Sequence, residues 1–283
     1  MLILRHVVKL RDYLDSEKAN GSTIGFTPTM GALHDGHMAL VDAMNAECEC
    51  GVVSIFVNPK QFNDASDLEK YPRTTEEDII KLNKAECDVT FLPEVDEVYP
   101  ADAVQIDMDL GRLDKTMEGE FRPGHFKGVA EVMFRLLNIV QPDRLYMGQK
   151  DFQQTAVIKK IIDHYRMPVE FVTCPTVREA DGLAMSSRNV RIDPDLRNKA
   201  TILYDNLSAA KTSLGQLSPS TITADAMSDM EKPGIRPEYF EIVDAITLEP
   251  VTDPGYHDVV VACTAAWVGD VRLIDNMVLK GEL

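Results

Sequence analysis

The chain has 283 residues, enough for one large domain or two ordinary ones. Apolar residues make up 45% and charged residues 27%, a balance that excludes wholesale disorder. The formal net charge of −17 argues against a nucleic-acid binder, which needs a broad basic surface, and against attraction to an anionic membrane.

The five cysteines, Cys48, Cys50, Cys87, Cys174 and Cys263, are odd in number. They read as reduced thiols of a cytoplasmic protein rather than a disulfide framework. Arg5, His6, Lys9 and Arg11 interrupt the short apolar start, so no signal peptide is expected there, and no run reaches transmembrane length.

Along the first two-thirds, strand and helix patterns alternate. Thr23 to Thr27 is a short apolar run before Pro28, and Met38 to Cys48 reads as a helix. Gly51 to Val57 is a β-branched run that stops at Asn58-Pro59, as a buried parallel strand does. Thr74 to Ala85 is a helix with an acidic first turn, and Val89 to Leu92 a short strand. Phe126, Val129, Ala130, Met133, Leu136, Leu137 and Val140 fall at helical spacing before Pro142. Arg144 to Met147 is a strand, Ile158, Ile161, Ile162 and Tyr165 mark a helix face, and Val169 to Cys174 is a strand. This order predicts a Rossmann-like parallel sheet with helices on both faces, which binds ligands at the carboxyl ends of its strands.

Beyond Asn189 the texture changes. A helical region over Asp195 to Met230 leads through Lys232-Pro233-Gly234 to strand-like runs at Tyr239 to Val243, Val259 to Ala266 and Val271 to Leu279. The expected division is an α/β domain over 1–176 and a smaller α+β domain over 177–283.

Four polar clusters follow strands. In the first, Pro28-Thr29-Met30-Gly31-Ala32-Leu33-His34-Asp35-Gly36-His37, two histidines three apart share the first turn of a helix. Unpaired N–H groups and the positive end of the helix dipole make such a turn an anion site, and imidazoles can donate to developing phosphate charge. The bland readings are a glycine-rich turn, or a zinc site joining His34 and His37 to Cys48 and Cys50, whose spacing fits no common ligand pattern. In the second cluster, Asn58 and Gln61 are neutral amides suited to a hydroxyl or carboxylate, while Asn-Pro is also an ordinary turn signal. In the third, Gly148-Gln149-Lys150-Asp151, Lys150 offers a compact charge to phosphate and Asp151 suits a helix N-cap, with Gln154 one turn on. In the fourth, Pro175 to Asn189, the sequence Met185-Ser186-Ser187-Arg188 sets hydroxyls beside a guanidinium, a phosphate clamp, although a solvated connection with a turn at Asp181-Gly182 is the plainer reading. Arg122 and Lys127 flank Pro123-Gly124-His125 and read first as solvated charges.

At these clusters the chain resembles the pantothenate synthetase (pantoate–β-alanine ligase) family. PTMGALHDGH carries the HxGH signature of a nucleotidyltransferase superfamily, and SIFVNPKQF, YPRT, GHFKGVA, GQKDFQQ and PTVREADGLAMSSRN follow in register. The family pattern leads one to expect glutamate at Gln149. The resemblance implies an ATP-dependent ligase, cytoplasmic and homodimeric, that condenses pantoate with β-alanine through a pantoyl adenylate, with Mg2+ riding on the ATP phosphates and no protein metal cage. It implies His34, His37, Lys150, Ser186, Ser187 and Arg188 as catalytic. ATP would be held by Met30 to His37, Gly148 to Asp151, Val177 and Met185 to Arg188, and the acid and amine by Gln61, Gln154 and Asn58. The 177–283 domain would serve as a lid. The alternative is another HxGH-type nucleotidyltransferase acting on a phosphorylated small molecule, which gives neutral Gln61 and Gln154 no purpose. A non-catalytic nucleotide sensor and a tRNA synthetase are further readings, the last opposed by the acidic charge.

Overall fold

The computed structural model describes residues 1–62, 65–104, 106 and 108–283. They fall in two compact units, Met1–Gly148 with Gln153–Pro175, and Gln149–Phe152 with Thr176–Leu283.

In the first unit, β1 (Leu2–Leu4), β2 (Ile24–Thr29), β3 (Cys50–Ile55), β4 (Val89–Phe91), β5 (Arg144–Gly148) and β6 (Glu170–Cys174) form one parallel sheet in the order β1-β4-β3-β2-β5-β6. The helices around it are α1 (Val7–Ala19), α2 (Asp35–Glu47), α3 (Ala65–Lys70), α4 (Thr75–Lys84), α5 (Val95–Val98), α6 (Glu118–Phe121), α7 (His125–Val140) and α8 (Phe152–Tyr165). Every residue of β3 is buried, which is why that strand reads as an unbroken apolar run. Alternation of side chains sends Phe26, Val52 and Leu145 to one face, against Leu10 and Leu14 of α1 and the apolar stripes of α7 and α8. Val53, Ile55 and Tyr146 face the other way, against Leu40, Val41 and Met44 of α2 and Leu82 of α4. The order reverses between β2 and β5, the topological switch point where such sheets bind ligands.

Two local features depart from the sequence reading. Strand β2 does not stop before Pro28 but runs to Thr29, pairing with β3 throughout. Its ladder to β5 pairs only Gly25 and Phe26, so Pro28, with no N–H to give, lies past the paired stretch on that side. The first 19 residues are also structured: β1 pairs with β4, and α1 buries Leu10 and Leu14.

The second unit holds α9 (Pro194–Arg197), α10 (Ile202–Ser213) and α11 (Pro219–Met230), then an antiparallel sheet of β7 (Ile235–Asp244), β8 (Val260–Val268) and β9 (Val271–Lys280) in that order. Leu203, Leu207, Ile222 and Ala226 of the helices pack with Phe240, Val260, Ala262 and Leu273 of the sheet. Pro237 is accommodated at an irregularity in the β7–β8 register. Among the described residues no helix is long and apolar enough to cross a membrane.

Asp244 closes the turn after β7. Burial alone would raise its pKa, but N–H groups of Thr247 and Ile246 and the ring of His257 bond its carboxylate and hold it at about 2, against an ordinary 3.8. A folded value below the unfolded one gives stability that is full above about pH 4 and is lost as pH falls towards the folded value. Asp244→Asn should therefore lower stability at neutral pH and flatten the acid limb of a denaturation profile. An unchanged slope between about pH 4 and 2 contradicts this assignment.

Candidate active site

The chain leaves β2 through a turn that is tightly specified. Thr29 Oγ1 donates to Ser54 O at 2.7 Å and accepts the Gly31 N–H at 3.2 Å. Gly31 and Ala32 then take left-handed conformations, at φ 78° and 50°. For alanine this costs on the order of 1 kcal/mol and persists only where the surroundings hold it. Asp78 of α4 does so. Its fully buried carboxylate accepts the N–H groups of Ala32 at 2.9 Å and Leu33 at 2.8 Å, and the Thr74 hydroxyl at 3.1 Å. Lys81, one turn along α4, donates to Leu33 O. The amides of Ala32 and Leu33 are thus committed to Asp78, and what this turn offers a ligand is surface: Met30 and Gly31 border a cavity of about 300 Å3.

The turn delivers His34 to the N-cap of α2 and His37 to its third position. His34 Nδ1 accepts the Gly36 N–H at 3.1 Å, and His37 Nδ1 accepts the His34 N–H at 3.3 Å, a reciprocal capping box built from imidazoles. The rings lie 4.0 Å apart between centroids. With each Nδ1 occupied as an acceptor, the proton of a neutral ring sits on Nε2, making Nε2 a donor on both histidines. Cys48 and Cys50 lie beyond the far end of α2, a helix of 13 residues and about 20 Å, so the zinc set has no common centre.

After β3, Asn58 caps the 3-10 turn Pro59–Gln61. Its amide nitrogen donates to Gln61 Oε1 at 3.1 Å and Gly128 O at 3.2 Å, and its oxygen accepts from Lys60 N at 3.2 Å and the Tyr99 hydroxyl at 2.8 Å. Both donors and both acceptors of this amide are used within the protein, one of them on Gln61. Gln61 keeps donor capacity: among the described residues its Nε2 meets only the Met30 sulfur, at 3.0 Å. His125 Nδ1 braces the same turn through Gln61 O at 2.8 Å, and its Nε2 faces Arg122 at 3.1 Å. Arg122, read from sequence as a solvated charge, has a side chain only 17% exposed, beside Glu118. Gln154 stands half-buried in the first turn of α8.

In the second unit, the turn Gln149–Asp151 carries Lys150, whose ammonium lies 3.6 Å from Asp151. Residues 177–185 form a short hairpin rather than a bare connection: Met185 N donates to Val177 O, Arg178 bridges Ala184, and Glu179 N donates to Leu183 O. The hairpin leads into Ser186, Ser187 and Arg188, where Ser186 Oγ accepts the Arg188 N–H at 3.2 Å. Arg178 makes a bidentate pair with Asp275 at 2.6 and 3.0 Å and lies over the Tyr204 ring. Burial pushes the Asp275 carboxyl up, against the pull of Arg178. Gln149, the departure from the family pattern, donates through Nε2 to Asn276 Oδ1 at 3.1 Å, a bond a carboxylate cannot make. Asp78, His125, Asp275 and Asn276 carry no local sign of what they hold, because each acts on a segment far away along the chain.

Two imidazoles at a helix start beside the switch point of a parallel sheet are an arrangement found in nucleotide-using α/β enzymes. The pantoate-beta-alanine ligase family model matches residues 2–278. The pantothenate synthetase of Porphyromonas gingivalis is 44% identical over 278 residues, 98% of this chain and 99% of that protein. The crystal structure of pantothenate synthetase from Thermus thermophilus superposes with a TM-score of 0.92 at 40% identity, covering 99% of this chain and 100% of that one. A Francisella tularensis pantoate-beta-alanine ligase, solved with beta-gamma ATP and beta-alanine, gives a TM-score of 0.77 at 30% identity over 99% and 98% of the two chains. The chain belongs to the pantoate-beta-alanine ligase family.

Gly128 lets α7 lie against the Gln61 turn, since a Cβ there would sit 2.2 Å from Lys60 O and 2.7 Å from Gln61 Cα. Gly128→Ala should destabilise the first unit by about 1–3 kcal/mol, as overpacking against backbone does. Urea unfolding at unchanged midpoint would show that the turn yields freely.

Proposed function

We propose that this chain joins pantoate to β-alanine at the expense of ATP. A pantoate carboxylate oxygen attacks the α-phosphorus and pyrophosphate leaves, giving a pantoyl adenylate. The amine of β-alanine then attacks the acyl carbon, AMP departs with the bridging oxygen, and the amine loses a proton as the amide forms. A free carboxylate is a poor acyl donor, and AMP makes it a good one. Family membership over residues 2–278 supports the overall reaction. The observation that carries the assignment of the site is the imidazole pair with both Nδ1 atoms tied to backbone.

His34 and His37 present Nε2 donors to the phosphates, with His37 stabilising the charge that grows as the adenylate forms. Met30 to His37 line the nucleotide. Gly148 to Asp151 serve ATP, with Lys150 on phosphate and Asp151 towards the ribose, and Val177 meets adenine. Met185 to Arg188 supply hydroxyls and a guanidinium to the phosphates, in a second unit that acts as the lid. Gln61 and Gln154 hold pantoate through its hydroxyls and carboxylate, with Asn58 supporting Gln61. Mg2+ enters on the ATP phosphates. The resemblance supports a homodimer, and five buried cysteines, all free thiols, support a reducing compartment such as the cytoplasm.

Pantoate-dependent exchange of labelled pyrophosphate into ATP, without β-alanine, tests the first step. Exchange is expected with pantoate alone, and none with pantoate would overturn the proposal. His37→Ala should slow that exchange on the order of hundredfold, as loss of a transition-state donor does, and normal turnover would refute the role. Gln154→Ala should raise KM for pantoate by about tenfold with KM for ATP nearly unchanged. The reverse pattern would move Gln154 out of the acid's site.

A further inference from the structure

Strand β9 contains a dipeptide whose two side chains hold two different segments of the second unit. Successive strand residues face opposite ways, so Asp275 and Asn276 can each grip what lies on its own side. Along β9 the odd positions Val271, Leu273 and Asp275 are buried, while Arg272 and Ile274 are only half-buried. Asn276 breaks that alternation, at 2% exposure.

The reason is what covers it. Asn276 Nδ2 donates to Gln149 O at 3.0 Å and to Lys150 O at 2.7 Å, and its Oδ1 accepts from Gln149 Nε2 at 3.1 Å. Two backbone carbonyls claim both amide hydrogens, which fixes the amide's orientation and turns its oxygen to Gln149. A trans peptide points its N–H opposite its C=O. By holding the Gln149 carbonyl, Asn276 turns the Lys150 N–H away from β9 and sets the direction in which the Lys150 turn faces. On the neighbouring position, Asp275 takes both arms of the Arg178 guanidinium, whose remaining hydrogen bonds go to Gly182 O and Asn276 O. Arg178 lies at the base of the hairpin that leads into Ser186 to Arg188.

We propose that Asn276 is a positioning residue for ATP: its amide sets the Lys150 turn in the same frame in which Asp275 sets the hairpin before Ser186. The inference rests on the reading of those segments as phosphate-contacting. It adds that their mutual register is imposed by one strand of the C-terminal sheet. Asn276 is the informative position because it is neutral, whereas removing Asp275 would also strand a buried guanidinium.

The test uses the full-length chain and steady-state kinetics with each substrate varied in turn. Asn276→Ala removes both donors, and Asn276→Asp removes them at nearly constant size. Each should raise KM for ATP on the order of tenfold, the worth of two hydrogen bonds, while KM for pantoate stays within about twofold. Asn276→Ser keeps one donor and should fall between. A merely structural role predicts a lower melting temperature and lower apparent kcat with every KM unchanged, and that pattern overturns the proposal. KM does not depend on the active fraction, so partial unfolding does not mask the answer. If Ala and Asp variants do not fold, Asn276→Ser decides alone: an unchanged KM for ATP contradicts the role. Failure of the ligase reading is distinct, since the wild-type chain would then show no pantoate-dependent exchange.

Discussion

One buried carboxylate determines the geometry at the reactive end of the parallel sheet. Between β2 and α2 the chain must reverse within a few residues and still arrive with His34 at the helix cap. Consecutive left-handed residues, Gly31 and Ala32, achieve the reversal, but they leave the N–H groups of Ala32 and Leu33 directed into a closed turn. Buried donors without acceptors are costly, by about 1–3 kcal/mol each. Asp78 supplies an oxygen to each, and Lys81 takes the Leu33 carbonyl from the same helix. Only with this turn set can the Nδ1 atoms of His34 and His37 exchange bonds with the backbone at the start of α2.

The segment after β3 solves a different problem with neutral groups. On the proposed reading, this segment meets the hydroxylated acid with amides. Asn58 spends all of its capacity inside the protein, on Gln61, Gly128, Lys60 and Tyr99. That fixes Gln61, whose amide nitrogen meets the Met30 sulfur. Gly128 makes this possible by letting α7 approach the turn at backbone distance.

Much of this was legible in the residues, for identifiable reasons. Apolar runs such as Cys50–Ile55 and 145–147 are buried on both faces and are followed by Pro59 or Gly148 within a few residues, so strands and the clusters beyond them stand out. Strand β1 and helix α1 were passed over because Arg5, Lys9, Arg11 and Asp12 dilute a stripe that is nevertheless present at Val7, Leu10 and Leu14. The cap of α2 escapes the usual sequence rule, which looks for Ser or Thr followed by Glu or Gln, because imidazoles do the same work. Asp78 and Asn276 were illegible for a deeper reason. Their partners lie 46 and 126 residues away, and no local pattern records a bond that only the folded chain creates.

The family-wide reaction turns on one chemical event, transfer of AMP to the carboxylate of pantoate. The most direct measurement follows oxygen. With pantoate labelled by 18O in its carboxylate, Mg-ATP and β-alanine, mass spectrometry of the products should find one labelled oxygen in each AMP formed and none in pyrophosphate. Label confined to pantothenate, or appearing in inorganic phosphate, would mean that the carboxylate is not activated as an adenylate and would contradict the account.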